Sequence, residues 1–148
     1  MVSTMETPER SGALRILIVE DNEAAAQTTG WMVEMVGCDY QLATTSREAL
    51  TLVDAYDPEV IMMDIGLPDM NGFDLCRVLR SKSNLDESIF IALTGWSSDA
   101  YRDRALQAGF DYYLIKPIPL DSLENLLLDL INRFRPGPPA LGDLQDTP

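Results

Sequence analysis

The stretch Val60-Ile61-Met62-Met63-Asp64-Ile65-Gly66-Leu67-Pro68-Asp69-Met70-Asn71-Gly72 passes from four apolar residues to a carboxylate and then to turn-forming residues. A short apolar run bounded by Gly and Pro is typical of a strand buried on both faces, as in the middle of a parallel sheet. Asp64 would then lie at the carboxyl end of that strand, where ligands bind in open α/β sheets. Taken alone, Asp64 is better explained as a strand-end residue that accepts hydrogen bonds from the turn. Whether it belongs to a functional site depends on the polar residues at the other strand ends.

Composition restricts the class of protein. A chain of 148 residues that is 46% hydrophobic is long enough for one domain with a proper core. Its two cysteines have no metal-ligand spacing, and the absence of histidine excludes His-based catalysis and phosphohistidine on this chain. A net charge of −13 repels nucleic acid and anionic lipid. With no bilayer-spanning run and no secretory signal in Met1–Gly12, we expect a cytoplasmic protein without membrane association.

Strand and helix patterns alternate along the chain. Residues 1–12 are predicted to be a disordered leader, 13–135 the folded domain, and 136–148 a disordered tail rich in Pro, Gly and Asp. The last helix should start near Pro119 or Leu120 and bury a stripe of Leu120, Leu123, Leu127, Leu130, Ile131 and Phe134. The five predicted strands are Leu14–Val19, Tyr40–Ala43, Val60–Met63, Ile89–Leu93 and Tyr112–Ile115.

Five strands that alternate with five helices predict an α/β domain with a doubly wound parallel sheet covered on both faces. Right-handed crossovers leave few arrangements, and the flavodoxin-like (βα)5 order 2-1-3-4-5 is the common one at this length. In that order the chain direction reverses between the first and third strands. The ends of these two strands would therefore face each other across a crevice.

Polar residues follow each strand that should border this crevice. They are Glu20 and Asp21, Asp64, Thr94, and Lys116. Crowded carboxylates tolerate one another only with a trapped proton or a bound cation, and oxygen ligands at this density suit Mg²⁺. With the lysine charge and the threonine hydroxyl, the set suits phosphoryl transfer onto Asp64. Each residue singly has an ordinary explanation, such as an acidic helix start or a solvated lysine, but their joint placement favours a site.

The motifs at these strand ends resemble those of response-regulator receiver domains of two-component signalling, over about Leu14 to Phe134. The matching motifs are Val19-Glu20-Asp21-Asn22, Met63-Asp64 through Gly72, Ala92-Leu93-Thr94-Gly95 and Tyr113-Leu114-Ile115-Lys116-Pro117. The resemblance implies that Asp64 is the phospho-acceptor, and that Glu20, Asp21, Asp64 and the backbone carbonyl of Gly66 bind Mg²⁺, Asp21 being the closer acidic ligand. It also implies Thr94 as the switch hydroxyl, Lys116 as the phosphate partner, Tyr113 as the switch aromatic, and a cis Lys116–Pro117 bond.

The same resemblance implies the partners. A histidine kinase or a histidine phosphotransfer protein would donate the phosphoryl group, and a downstream protein would bind the switched face of a monomer or weak dimer. The chain would catalyse its own phosphorylation and dephosphorylation, as a stand-alone receiver or as part of a hybrid kinase or longer regulator. A helix turns roughly 100° per residue, so at least one of Ala24, Ala25 and Ala26 should be exposed at the crevice rim. These alanines either allow the partner's helix to dock or are present only because alanine favours helices.

Two residues depart from the family pattern. Gly66 lies two residues after the phospho-acceptor, and Trp96 two after the threonine, so the lifetime of the acyl phosphate is not set by the resemblance.

Other classes of function remain open. An interaction module could use the fold without turning over phosphate. A flavodoxin-like cofactor binder would need a neutral phosphate loop where Glu20-Asp21 stands, and a haloacid-dehalogenase-type phosphatase would need an aspartate in place of Gly66.

Overall fold

A computed structural model describes residues 12–96 and 98–136. Its five strands are β1 (Arg15–Val19), β2 (Asp39–Ala43), β3 (Val60–Asp64), β4 (Ile89–Thr94) and β5 (Tyr112–Ile115). They form one parallel sheet in the order β2-β1-β3-β4-β5, which confirms the predicted topology. Because β1 pairs with both β2 and β3, the ends of β1 and β3 lie side by side where the strand order reverses.

The central strands are apolar because both of their faces are covered. Every side chain from Val60 to Met63 is inaccessible to solvent, and β4 is buried throughout its length. Alternate residues of each strand enter different cores, as Met62 and Met63 do. A continuous apolar run therefore marks a strand buried on both faces, as the sequence pattern predicts.

In the part of the chain that the structure describes, five helices cover the sheet. They are α1 (Glu23–Val36), α2 (Ser46–Tyr56), α3 (Gly72–Arg80), α4 (Asp99–Ala108) and α5 (Leu120–Phe134). Buried residues of α1 and α5 pack with one core, and those of α2, α3 and α4 pack with the other. The segment between α3 and β4 contains a single 3-10 turn, Ser83–Leu85, which buries Leu85 beneath a polar surface.

The helix ends follow local sequence signals. Asn22 caps α1 by accepting a hydrogen bond from the Ala25 amide, and Gly37 ends the helix in the left-handed conformation with φ of 104°. Thr45 caps α2 by accepting from the Glu48 amide at 3.1 Å. The Glu48 carboxylate returns to the amide of Thr44, at 2.7 Å. The sequence Thr45-Ser46-Arg47-Glu48 has the form of a capping box, in which the Glu48 carboxylate would return to the amide of the N-cap residue Thr45. The observed contact is one residue earlier, at Thr44.

The predicted core stripe of α5 is wrong at one position. Leu123, Leu127 and Leu130 are buried, but Leu120 is 42% exposed. Leu120 is the first residue of the helix and follows Pro119, so it lies where the chain is still turning over the end of the sheet. Periodicity continued backwards from the helix centre does not detect this change of direction.

Ionic contacts fasten the end of α5 to the amino edge of the sheet, the edge at which the strands begin. Arg135 donates two hydrogen bonds to the Glu59 carboxylate, at 2.6 and 2.9 Å. The same carboxylate accepts from the backbone amide of Arg15, at 3.1 Å. Burial alone would raise the pKa of Glu59, but the Arg135 and Arg15 hydrogen bonds outweigh it, and the pKa is lowered.

Within residues 12–96 and 98–136, no helix is long and apolar enough to cross a membrane. Apart from Gly12 and Pro136, the predicted leader and tail lie outside the described residues.

Candidate functional site

The site lies at the carboxyl edge of the sheet, where parallel strands place their ends together. Glu20 directly follows β1, Asp64 and Thr94 end β3 and β4, and Lys116 follows β5. The Glu20 amide donates to the Ala43 carbonyl at 2.9 Å, which extends the β1–β2 ladder to the rim of the crevice. The topology therefore brings together polar side chains that are separated by up to 96 residues in sequence.

Three carboxylates form an acidic cluster. One oxygen from each of Glu20, Asp21 and Asp64 can be chosen so that all three lie within 4.8 Å of one another. Glu20 is only 3% exposed and Asp64 is partly exposed, while Asp21 is open to solvent. Negative charges at this spacing repel one another, so the cluster is chemically suited to a hard cation with oxygen ligands.

Lys116 bridges two members of this cluster. Its ammonium nitrogen lies 2.5 Å from Glu20 Oε1 and 3.3 Å from Asp64 Oδ2. Burial alone would lower the pKa of Lys116, but the hydrogen bond to Glu20 and the negative charge of Asp64 raise it. Burial raises the pKa of Glu20, against hydrogen bonds from Lys116 and the Asn22 amide that lower it. The two pKa values are both raised for different reasons. Lys116 contacts two carboxylates, which favour its charged form. Glu20 is buried and lies near the negative charge of Asp64, and these two effects outweigh its contact with Lys116.

Backbone contacts fix the rest of the rim. Asp64 Oδ1 accepts from the Gly66 amide at 3.1 Å, and the Lys116 amide donates to the Thr94 carbonyl at 2.7 Å. The Thr94 side chain is 2% exposed, and its hydroxyl oxygen accepts from the Trp96 amide at 3.0 Å. The predicted cis bond between Lys116 and Pro117 is confirmed.

Tyr113 connects the rim to the surface of α4. Its hydroxyl donates to the Trp96 carbonyl at 2.5 Å, and burial raises its pKa although a hydrogen bond with Thr94 lowers it. Trp96 itself is 68% exposed, and its ring centroid lies 6.3 Å from that of Tyr101 on α4. Thr94, Trp96 and Tyr113 thus form a chain of contacts from the buried end of β4 to an exposed face.

Comparison with known proteins agrees with this geometry. Residues 16–128 match the family model described as the response regulator receiver domain. The chain belongs to this family. As a receiver domain, it is of the kind found in two-component response regulators and also in hybrid kinases.

Named relatives of this receiver domain occur in both contexts. It is 33% identical over 123 residues to the response regulator MprA of Mycolicibacterium vanbaalenii, covering 83% of this chain and 52% of MprA. It is 30% identical over 131 residues to the signal transduction histidine-protein kinase BarA of Escherichia coli K12, covering 88% of this chain and 14% of BarA. The receiver domain thus spans about half of one relative and a small part of the other.

Solved structures share the fold of this receiver domain. The signal receiver domain of a DNA binding response regulator from Colwellia psychrerythraea has a TM-score of 0.76 at 26% identity, with 80% of this chain and 98% of that one covered. The receiver domain of sensor histidine kinase PA1611 from Pseudomonas aeruginosa has a TM-score of 0.74 at 29% identity, with 81% and 98% covered. That second structure has a magnesium ion coordinated in its active site cleft.

The three alanines of α1 differ in their surroundings. Ala24 is exposed, Ala25 is half-buried, and Ala26 is 1% exposed in the core of this receiver domain. The first two line an apolar groove of about 330 Å³ beside the acidic cluster, together with Thr28, Met32, Pro117 and Ile118. One alanine is therefore exposed at the crevice as expected, whereas Ala26 offers no surface for docking.

Two features near the site were not predicted from the sequence. Asp69 accepts hydrogen bonds from Ser46 and Arg47, on another helix of the receiver domain. Trp31 and Met35 on α1 are 57% and 73% exposed, and with Ala24 and Thr28 they form an exposed stripe spaced by four, three and four residues. This spacing is visible in the sequence, but periodicity does not tell the apolar stripe that faces the core from one that faces solvent.

Proposed function

We propose that this receiver domain accepts a phosphoryl group from a phosphohistidine onto Asp64, with Mg²⁺ bound beside it, and that the change alters a partner-binding face. The observation that carries this proposal is the grouping of Glu20, Asp21 and Asp64 within 4.8 Å, with the Lys116 ammonium group 3.3 Å from Asp64. Carboxylates that hold a cation, next to a fixed positive charge, provide both an attacking oxygen and groups that neutralise a phosphoryl group.

The carboxylate oxygens fit a magnesium ion. Glu20, Asp21 and Asp64 would hold it together with the Gly66 backbone carbonyl, and exposed Asp21 is the more accessible of the acidic pair. Mg²⁺ prefers oxygen ligands and keeps several waters, which suits a cluster open to solvent on one side. When bound, the ion would neutralise charge on the phosphoryl oxygens. The magnesium ion in the cleft of the PA1611 receiver domain supports this assignment by similarity.

The transfer step requires one nucleophile and no base. An oxygen of the ionised Asp64 carboxylate forms a bond to phosphorus, and the bond from phosphorus to the histidine nitrogen breaks. The histidine ring, protonated on its other nitrogen, keeps the electron pair of the broken bond and leaves as neutral imidazole. Lys116 stabilises the charge of the phosphoryl group, and the acyl phosphate is later hydrolysed to restore the carboxylate. The chain's own residues thus catalyse both reactions.

The switch would pass from Thr94 to Tyr113. The Thr94 hydroxyl is held by the Trp96 amide, and the Trp96 carbonyl in turn holds the Tyr113 hydroxyl. A phosphoryl group on Asp64 adds acceptor oxygens at the crevice and draws the threonine hydroxyl inward. Movement of Thr94 then strains the contact with Trp96, and the face formed by α4 and β5 shifts between two states that a downstream protein distinguishes.

A helix of a histidine kinase or histidine phosphotransfer protein would dock beside the crevice. Exposed Ala24 and half-buried Ala25 line the apolar groove next to Glu20 and Lys116, so a partner's backbone can approach closely there. The exposed stripe of Ala24, Thr28, Trp31 and Met35 continues along α1 with the four-three spacing typical of helices that pack side by side. The partner's helix would therefore lie along α1 and bring its phosphohistidine to Asp64.

Labelling with acetyl phosphate tests the acceptor without a partner protein. We expect Asp64→Asn to abolish hydroxylamine-labile phosphate incorporation, because the amide cannot attack phosphorus. The matched control is Asp74→Asn, which alters a 65% exposed carboxylate on α3 and should leave labelling unchanged.

The labelling results separate the possible functions. Full labelling of Asp64→Asn would place the acceptor elsewhere. If the wild-type protein takes up no phosphate from acetyl phosphate in Mg²⁺, then the proposal fails and an interaction module without phosphate turnover becomes the better explanation.

A further inference from the structure

The loop between β3 and α3 is closed at its base. The Gly72 amide donates to the Ile65 carbonyl at 2.8 Å, so the chain leaves β3 and returns to it within eight residues. A Cβ atom at position 72 would lie 2.6 Å from Ile65 Cα, and glycine is therefore required by this close approach. Gly66, whose carbonyl is a proposed Mg²⁺ ligand, lies inside this loop.

The far side of the loop is attached to another helix. Asp69 accepts from the Ser46 amide at 3.0 Å, from the Ser46 hydroxyl at 2.6 Å and from the Arg47 amide at 3.3 Å. The Ser46 hydrogen bonds hold the pKa of Asp69 at about 2, so the carboxylate is ionised at neutral pH. Ser46 is itself 3% exposed, which fixes the donor side of the contact.

The contact does more than cap a helix. The first turn of α2 already has its own cap, since Thr45 accepts from the Glu48 amide at 3.1 Å. Asp69 satisfies the two preceding amides from a position 22 to 23 residues away in sequence. Among the described residues, these are the hydrogen bonds that join loop residues 66–70 to another segment of the chain.

We infer that Asp69 is a positioning residue for the metal site. Its hydrogen bonds attach the β3–α3 loop to the start of α2 and thereby hold the Gly66 carbonyl in place for Mg²⁺. This inference rests on the proposed function. The Gly66 amide donates to Asp64 Oδ1 at 3.1 Å, and the next residue, Leu67, is buried in the core and donates to the Ile65 carbonyl at 3.1 Å. The Asp69 contact fixes the part of the loop that follows Leu67. Without Asp69 the loop loses its attachment to α2, so the loop that carries the Gly66 carbonyl must be ordered at the expense of binding free energy.

Magnesium titration of four variants tests the role of Asp69. Asp69→Ala removes the acceptor, and Ser46→Ala removes the hydroxyl donor without changing the loop sequence. Outer-shell partners of metal ligands typically contribute 10- to 100-fold in affinity, and we expect Asp69→Ala to weaken Mg²⁺ binding about tenfold. The double variant should bind little more weakly than Asp69→Ala, because both changes break one contact. Thr45→Ala is the matched control, since it removes a cap from the same helix turn without touching the loop.

Calorimetry would give the dissociation constants, and hydrogen exchange of the metal-free protein gives an independent measurement. We expect the Leu67 and Gly72 amides to exchange faster in Asp69→Ala than in the wild-type protein. In Thr45→Ala, their exchange should be unchanged. Unchanged Mg²⁺ affinity in Asp69→Ala, or an equal loss in Thr45→Ala, overturns the inference. If the wild-type protein itself binds no Mg²⁺, then the proposed function fails as well, and the wild-type titration distinguishes that outcome from a failure of Asp69 alone.

Discussion

Replacement of Lys116 by alanine should make the stability of the protein depend more strongly on Mg²⁺. In the absence of the ion, the lysine ammonium group is the positive charge that contacts Glu20 at 2.5 Å and Asp64 at 3.3 Å. Its removal leaves three carboxylates facing one another, one of them buried. A cation bound among them would replace the missing charge.

The size of the effect follows from the exposure of the partners. Exposed ion pairs contribute about 0 to 1 kcal/mol, whereas breaking a buried pair costs about 3 to 5 kcal/mol. Lys116 is 29% exposed, and its partners Glu20 and Asp64 are 3% and 16% exposed, so a loss of about 2 kcal/mol is expected without Mg²⁺. For a domain of this size, that loss lowers Tm by roughly 8 °C.

Saturating Mg²⁺ should reduce the difference between variant and wild type to about 1 kcal/mol, because the ion takes over the role of the ammonium charge. By linkage, the variant then binds Mg²⁺ about fivefold more tightly than the wild type. Thermal and urea unfolding with and without Mg²⁺ measure both quantities. Lys82→Ala is the matched control, since Lys82 is also 29% exposed but pairs at 3.3 Å with Asp54, which is 63% exposed.

The reasoning would be refuted in two ways. A metal-free Lys116→Ala protein as stable as the wild type would show that the acidic cluster is not under electrostatic strain. A stability difference that Mg²⁺ leaves unchanged would show that the ion and the lysine do not act on the same carboxylates. Lys82→Ala should lose less than about 1 kcal/mol in either condition.

Three further predictions test other parts of the molecule. Asp21→Ala should sharply weaken Mg²⁺ binding in a calorimetric titration, and an unchanged titration would remove Asp21 from the ligand set. Ala24→Arg should abolish phosphotransfer from the histidine protein while labelling by acetyl phosphate continues; retention of both reactions would place docking elsewhere. Glu59→Gln should lower the free energy of unfolding by about 1.5 to 3 kcal/mol at pH 7. Because the pKa of Glu59 is lowered from 4.5, this difference should be present above pH 4.5 and shrink as the pH falls through the folded-state value, which urea unfolding across that range would detect.

Much of the fold could be predicted because a strand that is buried on both faces of a sheet has a continuous apolar sequence. Runs such as Ile89–Leu93 identify the central strands, and their alternation with helices restricts the strand order to few possibilities. The placement of Glu20, Asp64, Thr94 and Lys116 at one edge follows from the same topology. The sequence alone therefore predicted that the site residues lie close together, whereas their chemical roles are proposals.

The remaining features depend on contacts that leave no local mark. Asp69 lies in a turn-forming run, Pro68-Asp69-Met70-Asn71-Gly72, in which an acidic residue is ordinary. Its partner Ser46 belongs to a helix start that is already explained by Thr45. Only the three-dimensional packing of α2 beside the β3–α3 loop brings the two side chains together. The exposure of Leu120 likewise depends on how α5 turns over the sheet.

The contact of Arg135 with Glu59 also determines how the protein can be handled in experiments. Residues 14 and 136 both lie at the amino edge of the sheet, about five strand residues, or roughly 16 Å, from the crevice. A fluorophore or a sensor surface attached at Gly12 or Pro136, both exposed, would leave the first turn of α1 and the acidic cluster pointing into solution. Immobilisation at either position therefore suits kinetic measurements of partner binding at the crevice, and labels at both positions would report on this edge rather than on the switching face.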